Sequence, residues 1–237
     1  ATIEKSLTDA ELLRQSILKE AFEGRLVKKE NGKKGKLATT TDIHAGLIAK
    51  SIQLHHENPE YLEKLSHVKC EKIAHIIEYK LGISLGRIPV KDAAGPDDYN
   101  HLKKVEHRAK MANWFQTEKR EIGHTYKPMQ SIDIAIEKFD SSIQGEKLNQ
   151  ANKIIKDFLP FELEHAELVA TIYAGWNNLL IDGLNPTDEE IVYESRENWS
   201  KRKLTIERAK FFKTLLWMRN HNYIPEGKVL KVEKLKK

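Results

Sequence analysis

A mainly α-helical protein is predicted, on three observations. Apolar residues recur at three- and four-residue intervals along most of the chain, and Gly82, Gly95-Pro96, Pro160 and Gly183 punctuate those runs. A single stretch, WFQTEKREIGHTYKP, reads instead as a small β-hairpin. The expected order is an N-terminal amphipathic helix (residues 1–26), a linker (27–40), a helical domain holding the hairpin (41–160) and a trihelical, winged-helix-like region (161–237).

The first helix rests on spacing. Thr8 serves as N-cap with Glu11 three residues on, so that each side chain satisfies an orphan backbone donor. Ala10, Leu13, Ile17 and Ala21 share one face, Leu18 and Phe22 widen it, and Gly24 supplies a left-handed stop. An isolated helix of about four turns is marginal in water, so this stripe is expected to be covered. The cover is either the chain's own core or a partner helix in a coiled coil, and spacing leaves both open.

KKENGKKGKLATTT is polar, carries two glycines and reads as an exposed linker. DIHAGLIAKSIQLHHEN follows as a helix that stops before Pro59, and Tyr61 to Leu65 can add a short turn. VKCEKIAHIIEYKLG sets Val68, Ile73, Ile76, Ile77 and Leu81 on one broad stripe, with Gly82 as its end. ISLGRIPVKDAAGPDD is loop-like, and Asp97 or Asp98 caps the helix YNHLKKVEHRAKMAN, whose Leu102, Val105 and Ala109 face inward. After the hairpin, helical spacing resumes through Ile132, Ile136, Phe139, Leu148, Ile154, Ile155 and Phe158 until Pro160. FELEHAELVATIYAGWNNLLIDG is a largely buried helix. NPTDEEIVYESRENW then opens on Thr187 as N-cap, with three acids where the positive helix end favours them. TIERAKFFKTLLWMRNHN is the last helix, and YIPEGKVLKVEKL an extended or hairpin tail. Periodicity leaves open whether 41–160 and 161–237 share a core.

The chain has 237 residues, of which 40% are hydrophobic, enough for one large or two ordinary domains. It has no run of about 18 apolar residues and no signal-peptide pattern, so a cytoplasmic protein with no membrane partner is expected. The single cysteine, Cys70, excludes an internal disulfide and fits a reducing compartment. Ala1 in place of an initiator methionine fits a piece of a longer chain.

The net charge of +5 hides an asymmetry. From Phe161 to Ser195 eight acids (Glu162, Glu164, Glu167, Asp182, Asp188, Glu189, Glu190 and Glu194) stand with no Lys or Arg, and from Arg196 to Lys237 thirteen Lys and Arg face four acids. Such a split means an anion-binding face beside an acidic docking face, or compensation between neighbouring helices.

The motif survey is sparse. There is no HExxH, and His55-His56, His101/His107 and His75/Glu78 lack a third ligand at a recognisable spacing, so no metal is expected. No phosphate-binding glycine loop or nucleophile elbow occurs, so no cofactor and no catalytic residue is assigned. Lys201, Arg202, Lys203, Arg208, Lys210 and Lys213 cluster around a loop and helix start near Trp199 and Trp217. They are the candidate contacts for DNA phosphates, salt-dependent and indifferent to sequence. Lys103, Lys104, Arg108 and Lys110 form a weaker basic group.

ELLRQSILKEAFEGRLV resembles the helix that closes the C-terminal end of specificity subunits of type I restriction-modification enzymes. The shared phrase is carried by Leu13, Arg14, Ser16, Ile17, Leu18, Ala21, Phe22, Gly24 and Leu26, under a tenth of the chain. The rest looks like an extension appended to such a subunit, and the middle portion of that extension is distantly similar to helical antitoxin-associated domains. The resemblance implies a part that neither methylates nor cuts, working beside methyltransferase and motor-nuclease subunits. It also implies docking of the first helix through Leu13, Ile17, Leu18, Ala21 and Phe22, onto a counterpart helix or a second copy. An independent regulatory or antitoxin-like adaptor, binding a protein through the acidic 161–195 surface, is the alternative.

Overall fold

The computed structural model describes residues 38–234. The N-terminal helix and its docking residues Leu13, Ile17, Leu18, Ala21 and Phe22 lie outside the described residues. Chain contacts divide the protein into Ala1–Leu37 and Ala38–Lys237, and the second unit is the one described below. It is mainly helical with two small antiparallel hairpins.

Helix α1 (Thr40–Glu57) starts where the Thr39 hydroxyl accepts from the Asp42 amide at 3.1 Å, and it ends before Pro59, which opens a 3₁₀ turn (Pro59–Lys64). Helix α2 (His67–Leu81) is capped by Ser66 and stopped by Gly82 at φ +62°. At that φ a side chain would meet its own carbonyl, which is why glycine ends the helix. The segment expected as a loop contains the hairpin β1 (Val90–Asp92) and β2 (Gly95–Asp97), joined by a tight turn that the Asp92 carboxylate closes onto the Ala94 amide at 3.0 Å. Asp98 then caps α3 (Tyr99–Met111), accepting from the His101 amide at 3.0 Å.

The predicted hairpin is present as β3 (Phe115–Lys119) and β4 (His124–Pro128), with Thr117 opposite Tyr126. Its inner face sets Phe115 edge-on to Tyr126, ring centres 5.1 Å apart. Helices α4 (Ile132–Ser142), α5 (Glu146–Phe158) and α6 (Leu163–Ile181) follow. Thr187 and Glu190 form the reciprocal capping box of α7 (Asp188–Arg196). A 3₁₀ turn (Lys201–Thr205) leads to α8 (Arg208–Asn220).

Two apolar clusters organise these elements. The smaller joins one face of α1 (Ala45, Ile48, Ile52) to α3, α4 and the β3–β4 hairpin. The larger joins the other face of α1 to α2, α5, α6, α7, α8 and the tail, holding Ile76, Phe158, Ile172, Trp199 and Met218 together. That cluster runs straight across the boundary expected at 160/161. Pro160 breaks the helix there, but Phe158, Leu159 and Phe161 are all buried in the same core, so a helix break is not a domain break.

The winged-helix expectation for 161–237 needs correction. Among the described residues the tail forms no hairpin. It runs beside α6, bent at Gly227 and Val229, and makes one isolated parallel bridge, Val90 to Glu233. The reason is local: Asn177 and Asn178 of α6 take up the main-chain groups that a second wing strand would have paired.

Candidate functional site

The most unusual chemistry of the unit lies inside it. Helix α2 is central, packed by α5, α6 and α1, so its polar side is buried as well as its apolar stripe. Glu71 Oε2 stands 3.2 Å from Arg87 Nη2, and Glu71 Oε1 lies 3.0 Å from His44 Nε2 on α1. Arg87 also faces Glu78 at 3.6 Å, and the other oxygen of Glu78 accepts from the Leu85 amide at 2.9 Å. One guanidinium thereby ties the loop after α2 back onto two turns of the helix.

Burial works to raise the Glu71 pKa, but Arg87 and then His44 outweigh it and carry the carboxyl down to about 2. For Glu78 the same burial prevails over the more distant Arg87, and its pKa is raised. Burial, with Arg87 and Lys72 nearby, drives His75 well below the usual histidine range, and neither ring nitrogen has a hydrogen-bond partner among the described residues. His44 stacks on His101 with rings 5.4 Å apart and almost parallel.

The seam continues towards the C-terminal half. Lys72 donates to the Pro96 carbonyl at 2.9 Å, which holds the β1–β2 hairpin against α2 and α6. Glu167 on α6 receives Lys203 at 3.4 Å and Arg202 at 3.5 Å. Lys69 donates to the Leu159 and Phe161 carbonyls at 2.8 and 2.9 Å, closing the end of α5. Apart from the one made by Arg202, whose side chain is exposed, these are interior contacts that fix how helices meet.

The six candidate phosphate contacts separate under the same geometry. Lys203 has a wholly buried side chain, spent on Glu167, and cannot meet a phosphate at the surface. Arg202 is exposed yet also directed at Glu167. Arg208 donates to Glu189 at 2.7 Å and to Glu197 at 3.2 Å, and Lys210 to Glu164 at 2.7 Å. Lys201 and Lys213 are exposed, with no carboxylate at ion-pair distance among the described residues. In the weaker group, Lys103 pairs with Glu106 and Arg108 with Asp42, while Arg108 also covers the Trp114 ring.

The acidic segment is matched acid by acid. Glu162 meets Lys64, Glu164 Lys210, Glu167 Lys203, Asp182 Lys231, Asp188 Arg219, Glu189 Arg208 and Glu194 Lys91. Glu190, the eighth, is spent on the Thr187 cap. Of the two meanings of the charge split, these pairs favour internal compensation, between neighbouring helices for Glu164, Asp188 and Glu189 and with turns, β1 and the tail for the others.

Around the exposed face, α6 and α8 border a cleft of about 370 Å³ whose walls are His165, Leu168 and Trp217, with Lys213 at its lip. Trp217 is the hub of an aromatic group, stacked on His221 at 4.3 Å and edge-on to Phe161 at 5.1 Å. Trp199, the other tryptophan of the basic run, is buried and donates to the Asp92 carbonyl at 2.7 Å.

No family model matches this chain, and neither does any curated protein or solved structure.

The histidines are dispersed. His55 is buried on α1 with its Nδ1 2.7 Å from the Ser51 carbonyl, and burial lowers its pKa to about 4, whereas its neighbour His56 is exposed. His101 is buried and His107 exposed, so that pair does not converge. Among the described residues no group of three or more His, Cys, Asp and Glu is placed to hold a metal ion. Cys70 is buried and free, its thiol pushed up to about 12 by burial. No helix among the described residues is long and apolar enough to cross a membrane.

Sequence reasoning missed Arg87, Glu71, Lys72 and Lys69. Arg87 sits in the stretch read as a loop, and the α2 charges were passed over because periodicity marks only apolar positions. A usable signal was there: seven charged or histidine residues on one fifteen-residue helix that the fold must bury on most sides.

Proposed function

We propose that the chain is the non-catalytic C-terminal portion of a type I restriction-modification specificity subunit, and that its helical unit supports assembly of that cytoplasmic complex on DNA. One observation carries this reading: the phrase Leu13, Arg14, Ser16, Ile17, Leu18, Ala21, Phe22, Gly24 and Leu26, followed by a polar linker and a separate helical unit. The first helix offers an apolar stripe for a counterpart helix near the methyltransferase contact. The unit after it is an appended module.

Between the two tasks of such a module, protein assembly has the stronger support. Lys203 is buried and Arg202, Arg208 and Lys210 are engaged by carboxylates, so phosphate binding by the basic run must first break those pairs. Lys201 and Lys213 are left to add non-specific affinity for the DNA backbone. The adaptor reading draws on free acids between Phe161 and Ser195, and those acids already have partners.

Deleting residues 38–237 from the full-length specificity subunit tests the proposal. Complex formation with the methyltransferase and motor-nuclease subunits should weaken, with a smaller loss of DNA retention. Unchanged assembly and unchanged retention would sink it.

A further inference from the structure

After α8 the chain turns at Asn222, buries Tyr223 and passes as a strap over residues 227–234, bent at Gly227 and Val229 before it reaches the bridge at Glu233. Two neighbouring side chains of α6 hold it. Asn177 Oδ1 accepts from the Gly227 and Lys228 amides at 3.1 and 3.2 Å, and its Nδ2 donates to the Lys228 carbonyl at 2.8 Å. Asn178 Oδ1 accepts from the Val232 amide at 2.9 Å, and its Nδ2 donates to the Val232 carbonyl at 2.8 Å. Both asparagines are more than nine-tenths buried. The Lys91 amide of β1 then donates to the Glu233 carbonyl at 2.8 Å, in parallel register.

Every one of these bonds reads main chain. Only two side chains of the strap are selected: Val232, fully buried in the larger cluster, and Lys231, paired with Asp182. An amide that both donates to and accepts from one residue imitates a strand neighbour, so the Asn178 end of the site, with the β1 edge beside it, suits extended backbone carrying a basic residue followed by an aliphatic one, whereas Asn177 holds the bend at Gly227.

The strap is not an ideal occupant. Between its two grips Val229 is held at φ +68°, a left-handed conformation that β-branched residues avoid. Val229 and Leu230 project outward, 46% and 56% exposed. Open space flanks it on both sides: a cavity of about 360 Å³ bordered by Lys91, Asp182 and Glu194, and one of about 200 Å³ bordered by Tyr79, Ile83 and Arg87.

We propose that the strap is the resident occupant of a groove that reads extended peptide backbone. An extended segment of a partner protein, with a basic residue preceding an aliphatic one, displaces it, pairs in parallel with β1 and seats its aliphatic side chain where Val232 sits. Held by Asn178 and β1 alone, such a segment needs no left-handed residue at position 229, and its other side chains have the flanking cavities to enter.

The probe is a labelled peptide of residues 225–237, PEGKVLKVEKLKK, added to the full chain. Saturable binding is expected, at least tenfold tighter to the V232D chain, whose own strap no longer seats. Adding N178A to V232D should abolish it, as should an aspartate in the peptide at the Val232 position. Failure of the peptide to bind a V232D chain that keeps the parent's circular dichroism overturns the proposal. Hydrogen exchange in the unaltered chain decides it without any variant. The Lys228 and Val232 amides should exchange at least 100-fold faster than that of Ile76 in the centre of α2, and exchange at the Ile76 rate would show a strap released only by global unfolding.

Discussion

Arg87 and Glu71 face each other across 3.2 Å with neither side chain measurably open to water, one from a loop and the other from the central helix. Removing one partner of such a pair strands a charge in the interior, which costs about 3–5 kcal/mol. Arg87→Met should therefore lower the unfolding free energy by about that much in urea titrations, and Glu71→Gln added to it should cost less than the two changes summed. The pH dependence follows from the same contact. Glu71 titrates at about 2 in the folded chain and near 4.5 as an ordinary glutamate, so its stabilisation is complete above about pH 4.5 and lost as pH falls towards 2. Arg87→Met should shift that acid loss to higher pH, and an unshifted acid transition would remove the pair from the account.

Lys69 and Lys203 give stability the same direction of pH dependence in a second, alkaline window. Burial, the largest cause for both, holds each at about 8 against the ordinary 10.5. Between those values the unfolded chain binds more protons than the folded one, so stability rises with pH from about 8 towards 10. Above pH 10 the tyrosines reverse the trend, because burial raises Tyr79, Tyr173 and Tyr223 and the unfolded chain ionises first. Lys203→Met should flatten the rise between pH 8 and 10 in thermal unfolding. The same slope in the variant and the parent would show that this lysine is not the source.

The elements were legible where a residue's own neighbours determine it. Thr187 with Glu190, Asp98 before α3, Gly82 after α2 and the aromatic hairpin at Phe115 to Pro128 all fell where spacing put them. What escaped depends on residues far apart in the chain. Arg87 meets Glu71 across sixteen positions, Lys203 meets Glu167 across thirty-six, and Asn178 grips Val232 across fifty-four. No period links such partners, so the charge runs read equally well as free surfaces. The β1–β2 hairpin escaped for a different reason: strands of three residues are too short to alternate visibly, and one of the six is Pro96.

Gly46 records how closely α1 and α4 pass. A Cβ there would stand 2.4 Å from the Ala135 carbonyl oxygen and 2.7 Å from Phe139 Cβ, and the first of these is backbone that cannot turn aside. Alanine normally stabilises a helix interior by about 1 kcal/mol over glycine, but forcing a packed contact apart costs about 1–3 kcal/mol. Gly46→Ala should therefore be destabilising on balance, with a lower melting temperature. A variant as stable as the parent or more so would mean that the two helices can separate at little cost.

The paired basic run predicts how DNA affinity responds to removal of acids rather than bases. Glu164 engages Lys210 and Glu189 engages Arg208, both at 2.7 Å on the surface. Neutralising the carboxylates with Glu164→Gln, Glu189→Gln and Glu197→Gln, the last because Arg208 also donates to Glu197, frees Lys210 and Arg208 at the start of α8, beside the already exposed Lys213. Each cation that engages a phosphate adds about 0.9 to the slope of log affinity against log salt. The triple variant should bind duplex DNA of any sequence more tightly at low salt, with a slope steeper by up to about 1.8. If Lys201 and Lys213 alone form the phosphate contact, the slope will stay at the parent's value, and it will fall when those two lysines are replaced by glutamine.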